Sequence, residues 1–163
     1  EVIMVSGNPG ALMPTPHCAI AYEPSPACSP QPDPCDAEVY SAYEETLQAI
    51  FDEIFRIREG KPVILRTHDW YLPWGPVAVW EACDCLELCI ECSRQESAAI
   101  HRAAASRGVP VADYLTTFSG PDGDKVLPKD WTPDGVHPTA EASAELAKVM
   151  AGLGYELVEP PAE

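Results

Sequence analysis

The chain has 163 residues, enough for one domain with a real core, and its 46% hydrophobic and 22% charged residues are ordinary for a globular protein. Its formal net charge of -16 argues against nucleic-acid phosphates and anionic membranes as partners and fits a solvated acidic surface. No apolar run approaches the roughly 20 residues that a membrane-spanning helix needs.

In chain order, the stretch EVIMVSGNPG opens on the apolar run Val2 to Val5 and then breaks into turn-forming residues, so it predicts a buried strand ending in a loop. Residues 9–35 carry Pro9, Pro14, Pro16, Pro24, Pro26, Pro30, Pro32 and Pro34, a density that no regular element survives. This segment predicts a long loop stapled by Cys18, Cys28 and Cys35. From Asp36 the residues Val39, Tyr43, Leu47, Ile50, Ile54 and Ile57 recur by threes and fours, predicting an amphipathic helix that Asp36 caps and Gly60 ends.

KPVILRTHDW predicts a second buried strand over Val63 to Thr67, running into the aromatic loop WYLPWGP. A helical pattern follows from about Pro76 to Arg107, with the stripe Val79, Cys83, Leu86, Ile90, Ser93, Ser97, Ile100 and Ala104 and Gly108 as its stop. VPVADYL predicts a third strand. Pro138, at a first-turn position, then opens a last helix with Ala142, Leu146, Val149 and Leu153 inward and Gly154 closing it. His68 with Asp69, and His101 on the long helix, read as surface or rim residues.

Strand and helix alternate three times, which predicts a parallel sheet covered by helices: an α/β, three-layer α/β/α domain of flavodoxin-like type spanning 1–163. Right-handed crossovers put the carboxyl ends of the strands on one edge, so Asn8, the His68 to Trp74 loop and the Asp134 to His137 loop should gather there. Three strands make a thin sheet with an apolar edge, a liability that a homodimer covering the open edge would remove.

The C-terminal block Asp134-Gly135-Val136-His137-Pro138 precedes an Ala-rich helix, and the first strand ends in Ser6-Gly7-Asn8-Pro9. With the strand–helix alternation between them, these motifs resemble the SGNH, or GDSL-type, ester hydrolases. The resemblance implies His137 as general base, Asp134 as its carboxylate partner and Asn8 as a side-chain donor to the oxyanion, with Gly7 beside it. Only the Asn of the family's Gly-x-Asn-Asp block is matched here. The family's Gly-Asp-Ser nucleophile block and the Gly of its second block have no counterpart, so the domain is expected to be incomplete at its N-terminal side, the missing strands preceding Glu1. Ser6, at the end of a strand on the functional edge, is the surrogate nucleophile that the visible chain offers.

The chemistry asks for these residue types. A Ser hydroxyl is a poor nucleophile until an imidazole within hydrogen-bond reach takes its proton, and a carboxylate keeps that imidazole in one tautomer. The expected activity is hydrolysis of a small-molecule or lipid carboxylic ester through an acyl-enzyme, with no metal and no organic cofactor. Trp70, Tyr71 and Trp74 either line an acyl or alcohol pocket or pack a thin domain. Two rival readings stay open. One is a catalytically silent scaffold acting as a binding or dimerising protein. The other is a metal-binding module held by Cys85, Cys89 and Cys92, which share a helical face. The seven cysteines, at loop spacings, otherwise favour disulfides and hence a secreted or extracytoplasmic location.

Overall fold

The computed structural model describes residues 2–6, 37–59, 61–82 and 86–160. The Pro-rich segment 9–35, including Cys18, Cys28 and Cys35, lies outside the described residues, as do Gly7, Asn8, the expected helix cap Asp36 and the expected helix stop Gly60.

The architecture is mixed α/β around a parallel sheet. Strand β1 (Val2–Ser6) leads by way of helix α1 (Ala37–Ile57) to strand β2 (Ile64–His68). Helices α2 (Trp74–Ala82) and α3 (Leu86–Ala105) then connect to strand β3 (Val111–Ala112), followed by α4 (Tyr114–Ser119) and α5 (Ala140–Gly152). The sheet order is β1-β2-β3, all parallel, with Val2 opposite Ile64, Ser6 opposite His68 and Ala112 opposite His68 on the other flank. Three strands joined by helical crossovers are what the alternation predicts.

Side chains alternate across β2, and its two sides meet different partners. Leu65, fully buried, joins Val63, Phe51, Phe55, Cys89, Ile100 and other residues of α1 and α3 in the larger core. Ile64 and Arg66 instead line a groove of about 390 Å³ whose far wall is α5, through Leu146, Ala147 and Met150. A second core of Tyr71, Ala112, Tyr114 and Leu127 receives Leu146, Val149 and Leu153 from α5, the inward residues expected of that helix.

Three elements depart from the sequence pattern. The apolar stripe of α1 is rotated: Tyr40, Tyr43, Leu47, Phe51 and Phe55 are buried, whereas Ile50 and Ile57 are 39% and 64% exposed. Tyr40, Phe51 and Phe55 keep helical spacing one step away from Val39, Ile50 and Ile54, and their larger rings gain more from burial. The helix expected from Pro76 to Arg107 is two helices, α2 and α3. The third strand is only two residues long, because Asp113 ends it by capping α4, its carboxylate accepting from the Thr116 N–H at 2.9 Å.

The short β3 leaves the start of β2 without a parallel neighbour on that flank. The chain after α5 fills this place: Val63 and Val158 form an antiparallel bridge, with N–H to O distances of 3.2 and 2.7 Å. Arg66, only 3% exposed, fastens the same segment by donating to the carbonyls of Gly154 and Glu156 at 2.9 and 3.1 Å. A buried guanidinium is tolerable because carbonyls take its protons.

Candidate active site

The Asp134–His137 block folds as one tight unit. Gly135 N–H closes a turn onto the Thr132 carbonyl at 2.8 Å, and Gly135 adopts φ +91, which an L side chain rarely tolerates. Asp134 Oδ1 accepts from the backbone N–H of Val136 and of His137 at 3.0 and 2.7 Å, an Asx-type turn that a three-residue spacing permits. Asp134 Oδ2 lies 2.7 Å from Nδ1 of His137. One carboxylate therefore both shapes the loop and holds the imidazole.

The Val136 N–H, then the His137 ring, then the His137 N–H draw the Asp134 carboxyl down from 3.8 to about 2. It is thus ionised across ordinary pH and favours a proton on Nδ1 of His137, which leaves Nε2 as the basic nitrogen. Both side chains face solvent, 75% exposed for His137 and 56% for Asp134. Two residues on, Thr139 caps α5 by accepting from Ala142 N–H at 3.2 Å, so that helix begins at Ala140 rather than at Pro138.

The aromatic loop after β2 supports this unit from beneath. Trp74 Nε1 donates to the Thr132 carbonyl at 2.6 Å, and Tyr71 hydroxyl donates to the Val136 carbonyl at 3.2 Å. Gly75, in the first turn of α2, donates its N–H to the Gly135 carbonyl at 2.9 Å. That contact has no room for a side chain: a Cβ on Gly75 would stand 2.7 Å from the Gly135 oxygen. Burial, and secondarily the charge of Asp134, raise the Tyr71 phenol to about 12, so it stays a neutral donor.

The expected gathering of the 68–74 and 134–137 loops is thus visible in the hydrogen bonds between them. Trp74 serves there as a buttress, its ring also lying under Lys129 Nζ at 4.7 Å. Trp70 packs edge-on against His68, with ring centroids 5.5 Å apart. Ser6 is placed by its backbone pairing with His68 at the carboxyl end of β1. Gly75, Thr132 and Lys129 belong to this site and carry no signal in the sequence, since two of them act through backbone atoms.

The expectation for His68 and Asp69 is overturned. His68 is 9% exposed and packs against the Trp70 and Tyr114 rings, while Asp69 is fully buried. Asp69 Oδ1 accepts from the N–H of Tyr114 and Leu115 at 2.6 and 3.1 Å, and its Oδ2 accepts from Ser97 hydroxyl at 2.6 Å with His101 Nε2 at 3.3 Å. The strand end of β2, the start of α4 and one face of α3 meet on this single carboxylate. Cys89 and Cys92 are buried in the core formed by α1 and α3, and both are disulfide-bonded.

No protein-family model matches the chain, and comparisons with curated proteins and with solved structures likewise found no match.

Proposed function

We propose that the chain is an ester hydrolase of SGNH type, in which His137 is the general base and Asp134 its orienting carboxylate. The observation that carries this reading is the 2.7 Å approach of Asp134 Oδ2 to His137 Nδ1, in a loop at the carboxyl edge of a parallel sheet, with Nε2 left to face solvent. It also rests on the resemblance of the DGVHP block and of the strand ending in Ser6-Gly7-Asn8 to that family. The fold that goes with the reading is a three-layer, flavodoxin-like domain, and a homodimer is the proposed cover for an open sheet edge.

In this reading Nε2 of His137 takes the proton of a Ser hydroxyl as its oxygen bonds to the ester carbonyl carbon. The carbonyl oxygen becomes an oxyanion, for which Asn8 is the proposed amide donor and Gly7 the neighbouring backbone. On collapse the C–O bond to the alcohol breaks, and His137 returns the proton to the leaving oxygen. Water then repeats the sequence on the acyl-enzyme. Asp134 stays ionised throughout and stabilises the imidazolium that forms at each step. Ser6 is the proposed surrogate nucleophile, Trp70 and Trp74 border the substrate, and no metal or organic cofactor enters these steps. Loop cysteines and buried, bonded Cys89 and Cys92 support a secreted or extracytoplasmic setting.

The test is turnover of a short-chain nitrophenyl ester by the chain and by its His137→Ala and Ser6→Ala forms. Loss of the base should cut turnover roughly 100- to 10,000-fold. Turnover that survives His137→Ala unchanged refutes the assignment, and no turnover by the unaltered chain favours a silent binding scaffold instead.

A further inference from the structure

A second cluster, apart from the Asp134–His137 loop, brings together three residues from three different segments. Asp69 follows β2, His101 sits in α3 and Asp113 follows β3. One donor atom from each lies within 4.8 Å of the other two. His101 and Asp113 border an open cavity of about 700 Å³ whose wall also includes Ser97, Asp122 and Asp124, and Asp69 is fully buried beside His101. We infer that this cluster is a binding site for a single divalent transition-metal ion of the zinc type, with Asp69, His101 and Asp113 as its ligands and the cavity in front of its open coordination position.

The inner pair has a separation that also fits two ligands on one ion. His101 Nε2 lies 3.3 Å from Asp69 Oδ2. A hydrogen bond between an imidazolium and a carboxylate closes to about 2.7–2.9 Å, and the exposed pair Asp134–His137 in this same molecule does so at 2.7 Å. The Asp69–His101 pair, with Asp69 fully buried and His101 40% exposed, is the longer one. Two ligands bound at about 2.0–2.1 Å to a tetrahedral zinc ion stand about 3.3–3.4 Å apart, which is the separation found here.

Asp69 is also held as a ligand would be. Two backbone N–H groups at the start of α4 fix Oδ1, and Oδ2 accepts from Ser97 hydroxyl at 2.6 Å with His101 Nε2 at 3.3 Å. Outer hydrogen bonds of this kind orient metal-bound carboxylates and sharpen affinity. Asp113 is positioned by its capping of α4, Oδ1 accepting from Thr116 N–H at 2.9 Å and Oδ2 from the Thr116 hydroxyl, and it lines the cavity. One nitrogen and two carboxylate oxygens suit a borderline ion, and three protein ligands with an open fourth position are the arrangement of metal sites that bind water or a small ligand.

The experiment is titration of the chelator-treated full chain with zinc chloride by calorimetry, followed by replacement with cobalt(II) and absorption spectroscopy. The expected result is one ion per chain, a tetrahedral cobalt spectrum without a sulfur-to-cobalt band, and unchanged binding in His137→Ala. Because even outer partners change affinity about 10- to 100-fold, His101→Ala should weaken binding by about tenfold or more, and Asp113→Ala likewise. Circular dichroism checks that each variant is folded, and Asp113→Asn, which retains the cap of α4, separates loss of a charged ligand from loss of the helix start. An absence of zinc binding, binding that survives His101→Ala, or a sulfur-to-cobalt band overturns the site. Binding that survives both Asp113 variants removes the third ligand and with it the proposal as stated.

Discussion

Gly75→Ala probes the contact on which the candidate active site stands. In most helices this change would help: alanine is favoured over glycine by about 0.8–1 kcal/mol in a helix interior. Here the new Cβ would meet the Gly135 oxygen at 2.7 Å, and the Gly135 carbon and Cα both at 3.0 Å. These are backbone atoms of a turn already fixed by the Gly135 N–H to Thr132 bond and by φ +91 at Gly135, so they have little freedom to retreat. Overpacking of this kind costs about 1–3 kcal/mol. Separating the loops also removes the Gly75 N–H to Gly135 bond, worth about 0.5–1.5 kcal/mol net. Subtracting the helical gain leaves a net destabilisation of about 1–3 kcal/mol. Urea unfolding of the two proteins, read by circular dichroism, measures it as a lower midpoint with unchanged slope. In parallel, the ring signals of His137 should shift, since the loop that carries it must move. A Gly75→Ala protein as stable as the parent, with unshifted His137 signals, would show that α2 does not rest on this turn, and the buttressing argument would fail.

Three further outcomes follow from the same structure. The carboxyl carbon of Asp134 should titrate near pH 2 by NMR, and His137→Ala should restore only part of the drop from 3.8, because the Val136 N–H is the largest cause; a return to 3.8 would assign the whole effect to the imidazole. Glu96, pushed up to about 8 chiefly by burial and then by Asp69, is protonated in the folded chain, so folding binds a proton between pH 4.5 and 8 and stability must fall as pH rises through that window. Glu96→Gln should flatten this dependence and gain on the order of a few kcal/mol above pH 8, as urea midpoints across pH would show; parallel curves for both proteins would count against it. Ser119→Ala should cost about 1–3 kcal/mol in the same unfolding assay, because Leu72 N–H, which donates to the Ser119 hydroxyl at 2.9 Å, would be left buried without an acceptor.

What the sequence makes legible is whatever depends on local pattern. The alternation of strands and helices is written in spacing, and so is the turn of Asp134, Gly135, Val136 and His137, because a carboxylate three residues before a His reaches both its N–H and its ring without help from the rest of the chain. The phase of α1 was ambiguous for a physical reason: Ile50 and Phe51, or Ile54 and Phe55, are adjacent apolar residues, and periodicity alone does not say which of two neighbouring stripes faces inward. Packing decides it, in favour of the rings.

The rest depends on contacts between distant residues, where sequence spacing carries no information. Asp69 and Tyr114 are separated by 45 positions, and Asp69 and His101 by 32. Read locally, each is an ordinary polar residue beside a loop or on a helix. Only the meeting of the ends of β2 and β3 at one edge buries the carboxylate, and burial then obliges it to collect donors, since an unpaired charge in that position would be prohibitively costly. Gly75 is hidden for the opposite reason. Its role is the absence of a side chain against another backbone, which leaves no chemical signature beyond the letter itself. Both surprises lie at the carboxyl edge of the sheet, and that edge is the one place where a parallel α/β topology brings the ends of several strands together. The sequence could name the edge in advance, but the partners met there are fixed only when the crossovers close.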